Sequence, residues 1–213
     1  MNLEKNLVMA ARHLKEHDPK LAPFINRHGP WRLRPHSDHY GELVSSMVGQ
    51  QLSVKAASTI WRRVLELFAG KMPTPEQLLA VDSEQLRACG VSYPKINYMK
   101  DLAQHIIDGR LDMAHITSLP NNELIEQLTA VKGIGEWSAH MFMIFSLGRL
   151  DILPTGDLGV RKAVMLLYGL AALPNRQDLE KLARKNHWPP YESVAAWYLW
   201  QSLDNAPKET RHS

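Results

Sequence analysis

The chain is 213 residues long, with 45% apolar and 22% charged residues, which excludes a disordered or collagen-like polypeptide and allows a buried core without covalent staples. Its single cysteine, Cys89, excludes an intramolecular disulfide framework and any four-cysteine zinc or iron–sulfur site within one chain. Twenty-five basic against 22 acidic residues leave a net charge of +3, which permits a polyanionic partner without demanding one. No apolar run approaches the roughly 20 residues needed to span a bilayer, and the charged, amphipathic stretch from Met1 to Pro19 is not a secretory leader. An intracellular protein with no membrane partner is the expectation.

Helical periodicity recurs along the whole chain. Leu3, Leu7, Ala10, Ala11 and Leu14 make a first amphipathic helix, followed by a Pro-, His- and Arg-rich segment from Asp18 to His36. Ser37 is the expected cap of a helix carrying Leu43, Val44, Met47 and Val48, and Ser53 of one running to about Ala69, with Gly70 as its stop. Thr74-Pro75 and Asp82-Ser83 each open a short helix, the second closed by Gly90. Pro94 to Asp108 and Asn121 to Val131 follow, then helices over about 136–147, 157–169, 176–186 and 190–203. No alternating β-branched run is present, so the class is all-α; the polar tail after Leu203 is expected to fray.

The most informative stretch is Leu128-Thr-Ala-Val-Lys-Gly-Ile-Gly-Glu-Trp-Ser-Ala139. Gly133 and Gly135 flank Ile134, which would plug the turn into the core, while two glycines allow positive φ and close approach of another molecule to the backbone. The N–H groups of a helix start attract phosphate. This is the layout of a helix-hairpin-helix, which grips the DNA backbone without reading bases; a plain helical connection with two glycines is the alternative. Downstream, Leu153-Pro-Thr-Gly-Asp-Leu-Gly-Val-Arg161 sets a turn, and Asp157 opens a helix whose dipole favours a carboxylate there. Taken alone, Asp157 reads first as an ordinary helix cap; its pairing with the hairpin changes that weighting.

Hairpin and aspartate loop together resemble the helix-hairpin-helix–GPD superfamily of DNA glycosylases, and within it the 3-methyladenine glycosylases of the AlkA and Mag type. Val48-Gly-Gln-Gln-Leu-Ser-Val-Lys-Ala-Ala57 resembles the family's Gln-Gln-x-Ser loop, Gly90-Val-Ser-Tyr-Pro-Lys-Ile-Asn-Tyr98 its Gly-x-Ser-x-x-Lys segment, and His187-Trp-Pro-Pro-Tyr-Glu-Ser-Val-Ala-Ala-Trp-Tyr-Leu-Trp200 its C-terminal aromatic helix. The resemblance spans roughly Gly41 to Leu203. It implies a compact, two-lobed, all-α glycosylase fold lacking the N-terminal β domain of the larger AlkA enzymes. One lobe is expected over about 41–145 and the other from about 1–40 plus 146–205, with 206–213 a polar tail and Asp157 at the cleft near the hairpin.

The implied activity is flipping and hydrolytic removal of alkylated purines such as 3-methyladenine and 7-methylguanine from duplex DNA, the first step of base excision repair. Asp157 is the expected catalytic carboxylate, stabilising the oxocarbenium-like sugar and orienting water. Trp137, Tyr191, Met141 and Trp188 are the candidates for a pocket whose aromatic faces attract a cationic base by about 0.5–2 kcal/mol. Trp61, Trp197 and Trp200 read as core. Gln51 is the first choice for the plug that fills the DNA gap, with Gln50 and Leu52 beside it. Lys132, Gly133, Ile134, Gly135, Ser53, Lys95 and Arg161 are the candidate backbone contacts. The lyase branch of the family carries a lysine two residues after the second hairpin glycine; Trp137 stands there, so no Schiff base and an intact abasic product are expected. No catalytic metal or cofactor is expected, although hairpin carbonyls in the family often hold a monovalent cation. A monomer is expected, in the cytoplasm or nucleoid if bacterial and the nucleus if eukaryotic. Two other readings stay open: a non-catalytic duplex-binding protein, and a glycosylase for a different lesion.

Overall fold

The computed structural model describes residues 2–203; the tail segment 206–213 lies outside them. Among the described residues there are twelve α-helices, one π-helical turn and no strand, so the fold is all-α. The described chain divides into two compact units, one built from both ends (residues 2–35 and 143–203) and one from the continuous middle (36–142).

The two-ended unit contains α1 (Leu3–His17), α2 (Ala22–His28), α10 (Leu158–Tyr168), α11 (Arg176–Lys185) and α12 (Glu192–Ser202). α1 buries the stripe Leu7, Ala10, Ala11 and Leu14. α12 packs against α1, α2 and α10 and is apolar on nearly every side, as a central helix must be. α2 falls in the segment read as irregular. Pro23 suits its first turn, but only Ile25 is buried, so the sequence offers no periodicity there.

Asp18 is fully buried at the end of α1. Its Oδ1 accepts from the N–H groups of Lys20 and Leu21, and its Oδ2 from the Tyr168 hydroxyl and, at 2.7 Å, from Trp188 Nε1. Burial, with Asp18 as acceptor, pushes the Tyr168 phenol far up. Trp188 is 0% exposed, so it is a core residue satisfying a buried carboxylate rather than part of a base pocket.

The middle unit contains α3 (His39–Gly49), α4 (Val54–Leu67), α5 (Pro75–Ala80), α6 (Ser83–Ala88), α7 (Tyr93–Ile107), α8 (Asn121–Thr129) and α9 (Glu136–Met141). α7 is its central helix, packing on α3, α5 and α6. The cap of α3 is Asp38 rather than Ser37: the Asp38 carboxylate accepts from Gly41 N–H at 2.8 Å, and Gly41 leaves the room, since a Cβ there would stand 2.2 Å from it. The helix expected over 136–147 is α9 followed by a π turn over Phe142–Ser146.

Candidate functional site

The hairpin joins α8 to α9. Val131 and Ile134 are buried beneath it, Ile134 at 7% exposure. Its side chain therefore anchors the turn and does not face a ligand. Gly133 has φ +85, and a Cβ there would lie 2.4 Å from the Tyr98 ring, so both conformation and space require glycine. Gly135 is different: it is extended, begins α9, and a Cβ there would meet nothing within 4 Å. That glycine leaves the turn open to an incoming molecule. Lys132 donates its backbone N–H to Asp101 Oδ2 at 2.8 Å and places its Nζ 3.5 Å from Asp101 Oδ1, with the side chain largely exposed. Trp137, two residues past Gly135, is 51% exposed, and Met141 lies one helical turn further on, half-buried.

The Gln-Gln loop lies between α3 and α4 of the same unit. Gln51 is exposed and left-handed, at φ 59, and Leu52 is 39% exposed. Gln50 turns the other way: its Nε2 donates to the Gly133 carbonyl at 3.0 Å. Gln51 and Leu52 are thus presented outward, and Gln50 is not available as a plug. Ser53 caps α4, accepting from Ala56 N–H at 3.3 Å. Lys95 is also reassigned. Its Nζ donates to the carbonyls of Val48 at 2.8 Å and Gln50 at 2.6 Å, and partial burial holds its pKa below the usual lysine range. Two of the three ammonium N–H groups are thus committed to carbonyls at the end of α3, which draws Lys95 toward the loop and away from a free phosphate-binding role.

In the two-ended unit, Thr155 N–H bonds to Leu153 O and Asp157 N–H to Pro154 O, forming the turn that delivers Asp157 to the start of α10. Asp157 is 9% exposed. Its Oδ1 accepts from Val160 N–H at 2.8 Å and from Trp200 Nε1 at 2.9 Å. Gly159 makes this approach possible: a Cβ there would stand 3.0 Å from Asp157 Oδ1 and 3.1 Å from Trp200 Cδ1. Two donors on one oxygen, at a helix start, fix the carboxylate against rotation. The Trp200 ring stacks on Phe145 at 5.8 Å, and Phe145 meets Trp31 edge-on at 5.9 Å. Trp200 is core, as expected, but its indole N–H serves the carboxylate. A glycine in the first turn of α10 was the one local signal for this.

Tyr191 sits half-buried just before α12, edge-on to His13 at 5.3 Å. Arg161 is half-buried and donates Nε to the Pro174 carbonyl at 2.8 Å, which ties it to the α10–α11 connection and draws it away from a free phosphate-binding role. Among the described residues no group of three or more His, Cys, Asp or Glu is arranged to hold a metal ion.

The family model described as "HhH-GPD superfamily base excision DNA repair protein" matches residues 44–190. The chain is 36% identical to DNA-3-methyladenine glycosylase 1 of Schizosaccharomyces pombe over 191 residues, 89% of this chain and 83% of that protein. Among solved structures it is similar to a DNA-3-methyladenine glycosidase from Bacillus halodurans, at 42% identity and TM-score 0.82, covering 91% of this chain and 88% of that one. It is also similar to the Schizosaccharomyces pombe 3-methyladenine DNA glycosylase in complex with abasic DNA, at 35% identity and TM-score 0.75, covering 91% and 95%.

Proposed function

Since the chain belongs to the HhH-GPD superfamily of base excision DNA repair proteins, we propose that it is a monofunctional glycosylase that hydrolyses alkylated purines such as 3-methyladenine and 7-methylguanine from duplex DNA. The observation that carries this reading is the Asp157 carboxylate, fixed by Val160 N–H and Trp200 Nε1, in a chain 36–42% identical to proteins named for 3-methyladenine excision.

Extruding a base from the stack costs about a few kcal/mol, which must be offset by filling the gap and capturing the base. Gln51 and Leu52 are the residues exposed to fill it. The open backbone at Gly135 and the exposed Lys132 suit a phosphate. Within the middle unit, Trp137, with Met141 a turn away, offers a π face to a base carrying formal positive charge. A cationic purine is a good leaving group, so the work left to the protein is stabilising positive charge on the sugar and orienting water, and a single fixed carboxylate suffices for both. Trp137 in the lysine position of the lyase branch supports hydrolysis that leaves the strand intact. The hairpin's backbone carbonyls are hard oxygen donors that suit a monovalent cation. Those of Val131 and Gly133 each hold one hydrogen bond, from Ile134 N–H and Gln50 Nε2, and keep a second lone pair. They would hold such a cation, whose charge would assist phosphate binding. No helix among the described residues is long and apolar enough to cross a membrane.

The test is base release from duplexes carrying 3-methyladenine or 7-methylguanine, by wild type and Asp157→Asn, with the strand examined on a denaturing gel before and after alkali. Release by wild type, an alkali-labile but otherwise intact strand, and a mutant that binds DNA but releases almost nothing are expected. Duplex binding without release of either base would overturn the alkylpurine reading.

A further inference from the structure

One face of α7 supports both DNA-facing elements of the middle unit. Lys95, Tyr98 and Asp101 are spaced three residues apart on it, so their side chains form a single row. Lys95 grips the Val48 and Gln50 carbonyls at 2.8 and 2.6 Å. The Tyr98 ring lies beneath Gly133. Asp101 accepts from Lys132 N–H at 2.8 Å. Gln50 closes the row by donating its amide to the Gly133 carbonyl at 3.0 Å. The Gln-Gln loop and the hairpin, 83 residues apart in sequence at this bond, are therefore fastened to one rigid helix and to each other.

The loop needs such fastening. α3 ends at Gly49, and the chain must turn through Gln51 at φ 59, a region that a residue with a side chain rarely occupies unless its neighbours impose it. Among the described residues, the charged group on the carbonyls flanking this turn is the Lys95 ammonium.

We propose that Lys95 is a positioning residue for base extrusion: it holds residues 48–50 so that Gln50 locks onto the hairpin and Gln51 and Leu52 stay aimed at the gap that the hairpin's grip on the backbone defines. Lys95 itself touches no DNA. This rests on the reading of Gln51 and Leu52 as the plug. It predicts that Lys95 matters only when a base must be pulled out of a duplex.

Single-turnover release of 7-methylguanine from a duplex and from the same strand unpaired separates the two demands. Hydrogen bonds from a charged donor lost in Lys95→Met should slow duplex release by about 10- to 100-fold. Release from the single strand should fall by less than about threefold, and Lys95→Arg, which keeps cationic donors, should recover most of the duplex rate. Gln50→Met, which removes only the clip to Gly133, should show the same duplex-selective loss and covers the case in which Lys95→Met does not fold. Equal losses on both substrates, or an unchanged duplex rate in both variants, would overturn the proposal. If wild type releases no 7-methylguanine from either substrate, the lesion reading fails separately. Plug insertion is then read by fluorescence of 2-aminopurine opposite an abasic analogue, where wild type should give an increase that Lys95→Met loses; an equal increase in both would overturn the clamp.

Discussion

Trp200→Phe tests the assignment of Asp157 most directly. The substitution keeps a ring on Phe145, which it meets at 5.8 Å and 23°, and removes only the indole N–H that Asp157 Oδ1 accepts at 2.9 Å. The Val160 N–H bond at 2.8 Å remains. A hydrogen bond to a charged group is worth about 1.5–3 kcal/mol, so if the fixed carboxylate matters mainly in the transition state, the rate of base release should fall by about 10- to 150-fold. Affinity for a duplex containing an abasic analogue should stay within about threefold, because that complex has lost the bond being broken. The smaller ring also leaves a void, costing about 1–2 kcal/mol of stability, so rates should be measured at 25 °C, well below unfolding. Gly159→Ala offers an independent approach to the same contact. Its Cβ would stand 3.0 Å from Asp157 Oδ1 and 3.1 Å from Trp200 Cδ1, forcing the two apart by a few tenths of an ångström and slowing release by about three- to tenfold. A Trp200→Phe enzyme with reduced thermal stability but an unchanged single-turnover rate would refute the reasoning and return Trp200 to a packing role alone.

The two hairpin glycines should separate cleanly. Gly133→Ala meets the Tyr98 ring at 2.4 Å in a left-handed conformation and should lose about 2–4 kcal/mol in urea unfolding. Gly135→Ala, in open space at φ −85, should keep stability within about 0.5 kcal/mol while weakening duplex binding in fluorescence anisotropy. Asp18→Asn cannot accept from Tyr168 and Trp188 as a carboxylate does, and should cost about 2–4 kcal/mol by denaturant titration without changing lesion preference. Burial raises the Glu192 carboxyl above 4.5, partly offset by its own backbone N–H, with the Asp151 charge adding to the rise. A raised folded-state pKa gives stability that is present below the unfolded value and lost as pH climbs through the folded one. Glu192→Gln should therefore melt higher than wild type at pH 7.5, and the gap should close as pH falls towards 4.5, as scanning calorimetry would record.

The helical class was legible because apolar periodicity is a local property, and so was the shape of the hairpin turn, which Gly133 and Ile134 encode within a few residues. Cap residues at Ser53, Thr74 and Asp82 were legible for the same reason. The Asp38 cap was not, because it depends on the room left by Gly41, and Ser37 satisfied the same composition rule. What composition could not convey was the destination of long polar side chains. Lys95 bonds across 45 residues to Gln50, and Trp188 across 170 to Asp18. Each looked available for DNA or base until its partner was placed. Trp200 was read as core from its place in an apolar helix, and the same residue holds Asp157 across 43 residues.

The division of the chain has a consequence for synthesis. The middle unit, with its hairpin and Gln-Gln loop, is built from the unbroken segment 36–142, so all of its chain is available while the ribosome is still extending the rest. The two-ended unit cannot. Asp18 waits for Tyr168 and Trp188, and Asp157, already made, waits for Trp200, whose arrival is delayed until the last described helix has emerged. A nascent or truncated chain would thus carry the hairpin and the Gln-Gln loop before the Asp157 carboxylate is fixed, so that under the proposed function the chemistry would be the last property the polypeptide acquires.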